Sequence, residues 1–218
     1  MAIQRDAATK QRTTTGNTNT FAHTCSTGLN RILILTVQLQ DGSRTATATY
    51  GGVSMTAIDS TVYTPNGALH YIFYLINPAS GTNNVVVTAS ANTWIGAYAT
   101  SYIGAKQSGQ PDGSVKGTAT STTHSVTLSV TAANSWIYSS IVGFNWGPSI
   151  DSLGTSLNYF IQGIGDNAGC ADSDGTVTAG SKTVSWVNCT LTNNYGMIAI
   201  SIAPAPETAQ GAFLLTMV

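Results

Sequence analysis

The stretch RILILTVQL, Arg31 to Leu39, decides the fold. It opens as a continuous apolar run and ends with apolar and polar residues in alternation, which is typical of a strand at the centre of a β-sandwich. The stretch LHYIFYLI, Leu69 to Ile76, has the same character and stops at Asn77-Pro78, where proline interrupts a ladder of hydrogen bonds. Both segments therefore predict central β-strands.

Working outward, short β-rich stretches recur about every ten residues, the spacing of a sandwich or barrel. They are bounded by Gly, Asn, Asp or Pro and comprise Val85 to Ser90, Trp94 to Tyr102, Ser125 to Val130, Trp136 to Phe144, Thr183 to Val187 and Met197 to Ile202. Helix signals are scarce, and Glu207 is the single glutamate. The sequence predicts an all-β, jelly-roll-like antiparallel β-sandwich: one domain over residues 16–203, with an N-terminal arm (1–15) and a C-terminal arm or strand (204–218).

Composition excludes several classes of function. The chain has 218 residues, 8% charged and 42% hydrophobic, with a net charge of −1, and its length fits one β domain or two small ones. Its eight basic residues are spread from Arg5 to Lys182 without a patch, which argues against nucleic-acid binding. No apolar run approaches about 18 residues, and the N-terminus lacks the apolar region of a secretory signal. We therefore expect that the chain does not insert into a membrane. We also expect that it is synthesised in a cytoplasm.

Both ends of the chain are candidates for contacts between molecules. After the connector 203–211, with its prolines, the segment Ala212 to Val218 is abruptly apolar. Such a segment either folds back as one more strand or docks on a neighbouring subunit. On the second interpretation, the assembly contacts are the apolar residues of the two ends: Ile3, Phe213, Leu214, Leu215 and Val218.

The only cluster of carboxylates is Asp166, Asp172 and Asp174. Oxygen ligands alternating on a loop are suited to Ca²⁺, but the segment lacks the closing glutamate of an EF-hand loop. The pair Asp174-Gly175 is also a strong turn signal by itself. We favour a turn over a calcium site, and expect no metal or cofactor.

The three cysteines show no metal-binding spacing. Cys170 and Cys189 flank a Gly/Asp-rich segment and a strand, so a disulfide across a hairpin is one interpretation. Buried free thiols are the other, and we favour them because spacing alone does not establish disulfide geometry.

Catalytic motifs are lacking in the sequence. His23, His70 and His124 lie in separate strands or near their ends. The sequence has no G-x-S-x-G or phosphate-binding loop, and nothing in it selects a pair of carboxylates. We therefore expect no enzyme. Among the tryptophans, Trp146 lies between Asn145 and Gly147 and is the candidate for stacking on a glycan, whereas tryptophans beside Val or Ile pack in a core.

A series of short motifs resembles a known group of proteins. The motifs are TFAHTC (20–25), GLNRILIL (28–35), YGGVSMT (50–56), FYLINP (73–78) and GTNNVVV (81–87). In this order they are similar to β-sandwich modules of phage structural proteins and large bacterial surface proteins, over about residues 6–130. The resemblance implies fold and location, and it transfers no catalytic residue.

The resemblance and the composition together give our functional expectation. We expect the chain to be a structural virion protein of a bacteriophage. A capsid decoration or surface protein is the first choice, and a tail or fibre subunit is the second. It would be made in the host cytoplasm, be extracellular after lysis, and assemble with copies of itself and other virion proteins through strand edges and terminal arms. A carbohydrate-binding or adhesin module that recognises host-surface glycans is the alternative.

Overall fold

The computed structural model describes residues 1–13, 15–62, 68–120, 122–143, 154–163, 168–187 and 194–206. This part of the chain forms strands, turns and loops without a helix, which confirms the prediction of an all-β sandwich. It consequently offers no helix long and apolar enough to cross a membrane. The strands are β1 (Gln4–Thr13), β2 (Thr18–Cys25), β3 (Ile32–Leu39), β4 (Ala46–Tyr50), β5 (Val53–Ser54), β6 (Thr56–Val62), β7 (Leu69–Ile76), β8 (Gly81–Ala89), β9 (Ile95–Ile103), β10 (Gly113–Thr120), β11 (Thr123–Val130), β12 (Trp136–Gly143), β13 (Tyr159–Gly163), β14 (Ala168–Asp172), β15 (Gly180–Val187) and β16 (Asn194–Ile202).

The strands form four antiparallel sheets. Inner sheet I has the order β1-β9-β3-β7-β6, and outer sheet I has the order β2-β8-β4-β5. Inner sheet II has the order β10-β16-β12-β14-β13, and outer sheet II pairs β11 with β15. Each inner sheet packs on its own outer sheet, and the two inner sheets pack on each other. The molecule is therefore two sandwiches, I and II, stacked in four layers.

Strand β3 shows why the deciding stretch is apolar without interruption. Its odd-numbered residues, such as Leu33 and Leu35, pack in the core of sandwich I, whereas Ile32 and Ile34 enter the layer between the two inner sheets. All eight residues of the strand are buried. A strand covered on both faces has no position for a solvent-exposed side chain, so alternation is lost.

Sandwich II repeats the topology of sandwich I, except that β4 and β5 have no counterpart among the described residues. The order β10-β16-β12-β14-β13 matches β1-β9-β3-β7-β6, and the pair β11-β15 matches β2-β8. The edge pairs β6-β7 and β13-β14 carry a register shift at the same place, between Ala57 and Asp59 and between Phe160 and Gln162. Strands β8 and β15 both begin on a left-handed glycine. The domain is thus an internal duplication, a level of organisation that the single predicted sandwich did not include.

Traces of this duplication persist in the last strand of each repeat. The segments GAYATSYIGA (96–105) and GMIAISIAPA (196–205) share Gly, Ala, Ser and Ala at positions 96/196, 99/199, 101/201 and 105/205. The contacts between repeats are also reciprocal, because β6 packs against β10 and the equivalent β13 packs against β1. This reciprocity is the pattern of an approximate two-fold axis between the inner sheets.

The N-terminal segment differs from the expected arm. Gln4–Thr13 is strand β1, paired along its length with β9 at the edge of inner sheet I. Ile3 is 2% exposed and belongs to the core between the inner sheets, so the expectation that it contacts a neighbouring molecule is not met. An edge strand needs few large apolar residues, because much of its surface faces water. The polar sequence of β1 is therefore compatible with an edge strand as well as with an arm.

Candidate functional site

The most highly connected carboxylate, Asp172, joins the two sandwiches. Arg5 of β1 donates hydrogen bonds to Asp172 Oδ2 from Nε (2.8 Å) and to Oδ1 from Nη2 (2.5 Å). Tyr102 OH donates to Oδ2 at 2.9 Å, and the Asp174 amide donates to Oδ1 at 2.9 Å. Burial, followed by the charge of Asp172, raises the pKa of Tyr102 well above its usual value, so this phenol keeps its proton. The cluster holds β1 and β14 together.

The contacts of Asp172 and Asp174 bear on the choice between a turn and a calcium site. The oxygens of Asp172 already accept four hydrogen bonds and its side chain has no exposed surface. Asp174 has a left-handed φ of 47° and pairs with Arg5, as expected for the residue before glycine in a turn. Asp166 lies outside the described residues. In the part of the chain that the structure describes, no three His, Cys, Asp or Glu side chains come together as a metal site.

The three histidines are buried in separate places. His23 Nδ1 lies 3.0 Å from Thr9 Oγ1, and His124 Nε2 lies 3.1 Å from the carbonyl oxygen of Tyr195. Burial lowers the pKa of His23 to about 4, against a smaller opposing effect of Asp6. The pKa of His124 is also lowered by burial. Neutral, enclosed imidazoles of this kind contribute to packing.

His70 and Ser140 form the one serine–histidine contact among the described side chains. His70 Nε2 lies 2.7 Å from Ser140 Oγ, and His70 Nδ1 has no hydrogen-bond partner. Ser140 has no exposed surface, and burial lowers the pKa of His70 to about 3. A nucleophile needs access to substrate and a base oriented by a third group. This pair has neither, so it serves as a polar contact between the inner sheets.

The cysteines that the structure describes are buried free thiols. Cys25 lies in the core of sandwich I, and Cys170 lies between the inner sheets. Burial raises the pKa of Cys170 to about 12, which leaves it as an unreactive thiol at neutral pH. Cys189 lies outside the described residues, so the alternative of a disulfide between Cys170 and Cys189 stays a prediction.

Both outer sheets present uncharged rows of hydroxyl groups to solvent. On outer sheet I the register places Thr18, Thr88 and Thr47 side by side on three strands. On outer sheet II, Thr127 lies opposite Thr183, and Ser129 lies opposite Ser181. All seven residues are exposed. The solvent-facing positions of β2, β4, β8, β11 and β15 hold no charged residue, since Lys182 of β15 lies on the inward-facing row with Val184.

A second surface lies where the described chain begins and ends. Gly104 donates from N to the Leu29 carbonyl oxygen (3.1 Å), and its own carbonyl accepts from Ala205 N (2.7 Å). Asn30 Nδ2 lies 3.7 Å from the sulfur of Met1, whose amine lies 3.4 Å from the Ala205 carbonyl oxygen. We call these five residues the terminal face. Met1 is 47% and Leu29 68% exposed, which is unusual for large apolar side chains in this molecule.

Sequence reasoning did not identify Leu29. Its signal in the sequence was an isolated leucine between Gly28 and Asn30, in a loop where polar residues are the rule. The other predicted contacts at this end, Phe213, Leu214, Leu215 and Val218, lie outside the described residues.

The described tryptophans do not form a platform for a sugar ring. Trp186 has no exposed surface and Trp136 is 7% exposed. Trp94 is partly buried, with the Arg12 guanidinium 5.8 Å from the centre of its ring. Trp146, the predicted stacking residue, lies outside the described residues.

Two comparisons with known proteins identify no relative of this chain. No family model matches the chain, and no curated protein sequence matches it at a significant level.

Proposed function

We propose that this chain is a structural protein of a phage particle that assembles with copies of itself. The location that we favour is the capsid surface, where the chain would be a decoration protein. The second choice is a tail or fibre. The single observation that carries the proposal is the pair of uncharged, hydroxyl-lined outer sheets on opposite sides of the four-layer molecule. Surfaces without charge repel one another little and so tolerate the close repetitive packing of identical subunits.

The chemistry of the described side chains supports an architectural role. The histidines, Cys25 and Cys170 are enclosed, and Asp172 is used to join the two sandwiches. Each outer face is rigid, because it lies on a sheet that is packed against a buried core. A rigid surface pays little conformational entropy when it docks on another one.

The test is to place charge on the outer faces of the full chain. Sedimentation over a range of concentrations should show oligomers for the unchanged protein. The double variant Thr47→Lys/Thr127→Lys adds one positive charge to each outer face and should weaken association about tenfold at low salt, with recovery at high salt. Gln40→Lys adds the same type of charge on an exposed side chain between β3 and β4, outside both outer sheets, and should associate normally.

Two results would contradict this proposal. One is a chain that stays monomeric at every concentration, and the other is association that the double variant leaves unchanged. Binding of the monomer to a defined glycan on an array would favour the adhesin alternative instead.

A further inference from the structure

We infer that the terminal face of one molecule binds the apolar C-terminal segment Ala212 to Val218 of a neighbouring copy. This inference rests on the proposed function, and it adds a contact through the terminal face to the packing of the outer faces. It starts from Leu29 and Met1, two large apolar side chains that the fold leaves exposed, with the amide of Asn30, the residue after Leu29, 3.7 Å from the Met1 sulfur. Exposed apolar groups that lie together mark interaction sites more often than those that are scattered singly.

The position at which the described chain ends points to the occupant. Ala205 is held to Gly104, which is held to Leu29, so residue 207 follows within two residues of the terminal face. The residues after it are ETAQG (207–211) and then AFLLTMV (212–218). The second of these segments supplies Phe, Leu, Met and Val side chains without a charge, which is the chemistry that matches Met1 and Leu29.

The length of the spacer favours a neighbouring copy over the same chain. Five residues span up to about 17 Å when extended, and seven span up to about 24 Å. Leu29 lies only two hydrogen bonds away from Ala205, so a spacer of this length, if extended, would carry the apolar segment beyond the terminal face of its own molecule. Exchange of a terminal segment between identical subunits is a common way to build assemblies from a folded domain.

The terminal face is also suited to receive an extended segment because its backbone is fixed. Asn30 has a φ of 57° and Gly104 a φ of 78°, so both loops turn through left-handed residues. The Arg31 guanidinium ties the first loop to the Gly28 carbonyl oxygen at 2.7 Å and to the Pro78 carbonyl oxygen at 2.9 Å. A preformed surface of this kind loses little entropy on binding.

The first experiment maps the contact in the full chain. Leu215 is replaced by the photo-crosslinking residue p-benzoylphenylalanine, and equal amounts of ¹⁴N- and ¹⁵N-labelled protein are mixed, irradiated and analysed by mass spectrometry. We expect cross-links from position 215 to peptides that contain Met1 or Leu29, in pairs of mixed isotope. The same probe at Thr127, on outer sheet II, is the control and should not label the terminal face.

The second experiment measures the energetic contribution with matched variants. Leu29→Lys should weaken association about tenfold or more, because an apolar side chain that is buried on binding is replaced by a charge. Gln40→Lys introduces the same charge on an exposed side chain between β3 and β4, outside both the outer sheets and the terminal face, and should associate normally. Circular dichroism and thermal melting of both variants establish that they are folded.

The outcomes separate the two proposals. If the full chain is monomeric throughout, the proposed function fails and this inference fails with it. If the chain forms oligomers but position 215 cross-links elsewhere or only within its own chain, only this inference is overturned. Equal association of Leu29→Lys and the unchanged protein would likewise overturn this inference alone.

Discussion

At the scale of single residues, the layer between the inner sheets has an unusual polar content. Thr36 Oγ1 lies 2.8 Å from Tyr138 OH, and His70 Nε2 lies 2.7 Å from Ser140 Oγ. Each of these pairs joins one sandwich to the other. A buried hydrogen bond adds little net stability, but loss of one partner leaves the other unsatisfied at a cost of about 1–3 kcal/mol. The polar pairs therefore penalise any other alignment of the two sandwiches.

His70 makes the stability of the protein depend on pH. Its pKa is about 3 in the folded protein because of burial and about 6.5 in an unfolded chain. Below pH 6.5 the unfolded state binds a proton that the folded state does not, so the free energy of unfolding falls as the pH falls towards 3. Between pH 7 and pH 5 we expect a loss of about 2 kcal/mol from His70.

Urea unfolding at pH 7 and pH 5 measures this effect. Because His23 and His124 act in the same direction, the comparison is with His70→Gln, which should show a pH dependence smaller by about 2 kcal/mol over that interval. An identical pH dependence in the two proteins would contradict the role of His70.

At the scale of secondary-structure elements, the sequence predicts the strands with a clear pattern and misses those without one. β3 is apolar because both of its faces are covered, and it was predicted from this apolar run. β1 was not, because a strand at the edge of a sheet satisfies its backbone through β9 while its side chains stay largely polar.

The candidate sites show a similar limit. The hydroxyl rows follow from alternation within single strands, but their alignment across β2, β8 and β4 depends on the register, which no single stretch encodes. The terminal face combines Met1, Leu29 and Ala205, residues that are far apart in the chain. The terminal face can therefore be predicted only when the fold is already known.

Gly104 at the end of β9 tests how firmly the terminal face is built. Its φ is 78°, and a Cβ at this position would collide with the carbonyl oxygen of Ala2. Gly81 has a similar φ of 88° but open space around it. We expect Gly81→Ala to cost about 1 kcal/mol from backbone strain alone, and Gly104→Ala to cost roughly 3 kcal/mol because the backbone at Ala2 must also move.

Denaturant unfolding of the two glycine variants at one pH measures the difference. Equal destabilisation by Gly81→Ala and Gly104→Ala would mean that the backbone at Ala2 moves away from the new Cβ at little cost. That result would contradict a fixed terminal face.

At the scale of the whole molecule, two repeats share one central layer, and this layer is not a surface between independent domains. It contains Ile32, Ile34, Tyr98 and Tyr102 from sandwich I, all essentially without exposed surface. It contains Trp136, Tyr138, Ile198 and Ile200 from sandwich II, also buried. Separation of the sandwiches would expose these side chains to water, at about 25 cal/mol for each Å² of apolar surface. We therefore expect the two sandwiches to unfold as a single cooperative unit.

This cooperativity is testable with a substitution far from sandwich I. Leu128 lies without exposed surface in the core of sandwich II, and Leu128→Ala should cost about 3 kcal/mol. In a single unit, the loss appears equally as faster amide hydrogen exchange in β3 and in β12, whereas the exposed Thr127→Ala should change neither. If amide exchange in the Leu128→Ala variant is slower in β3 than in β12, sandwich I stays folded when sandwich II unfolds. The central layer would then be a docking interface between two independently stable repeats.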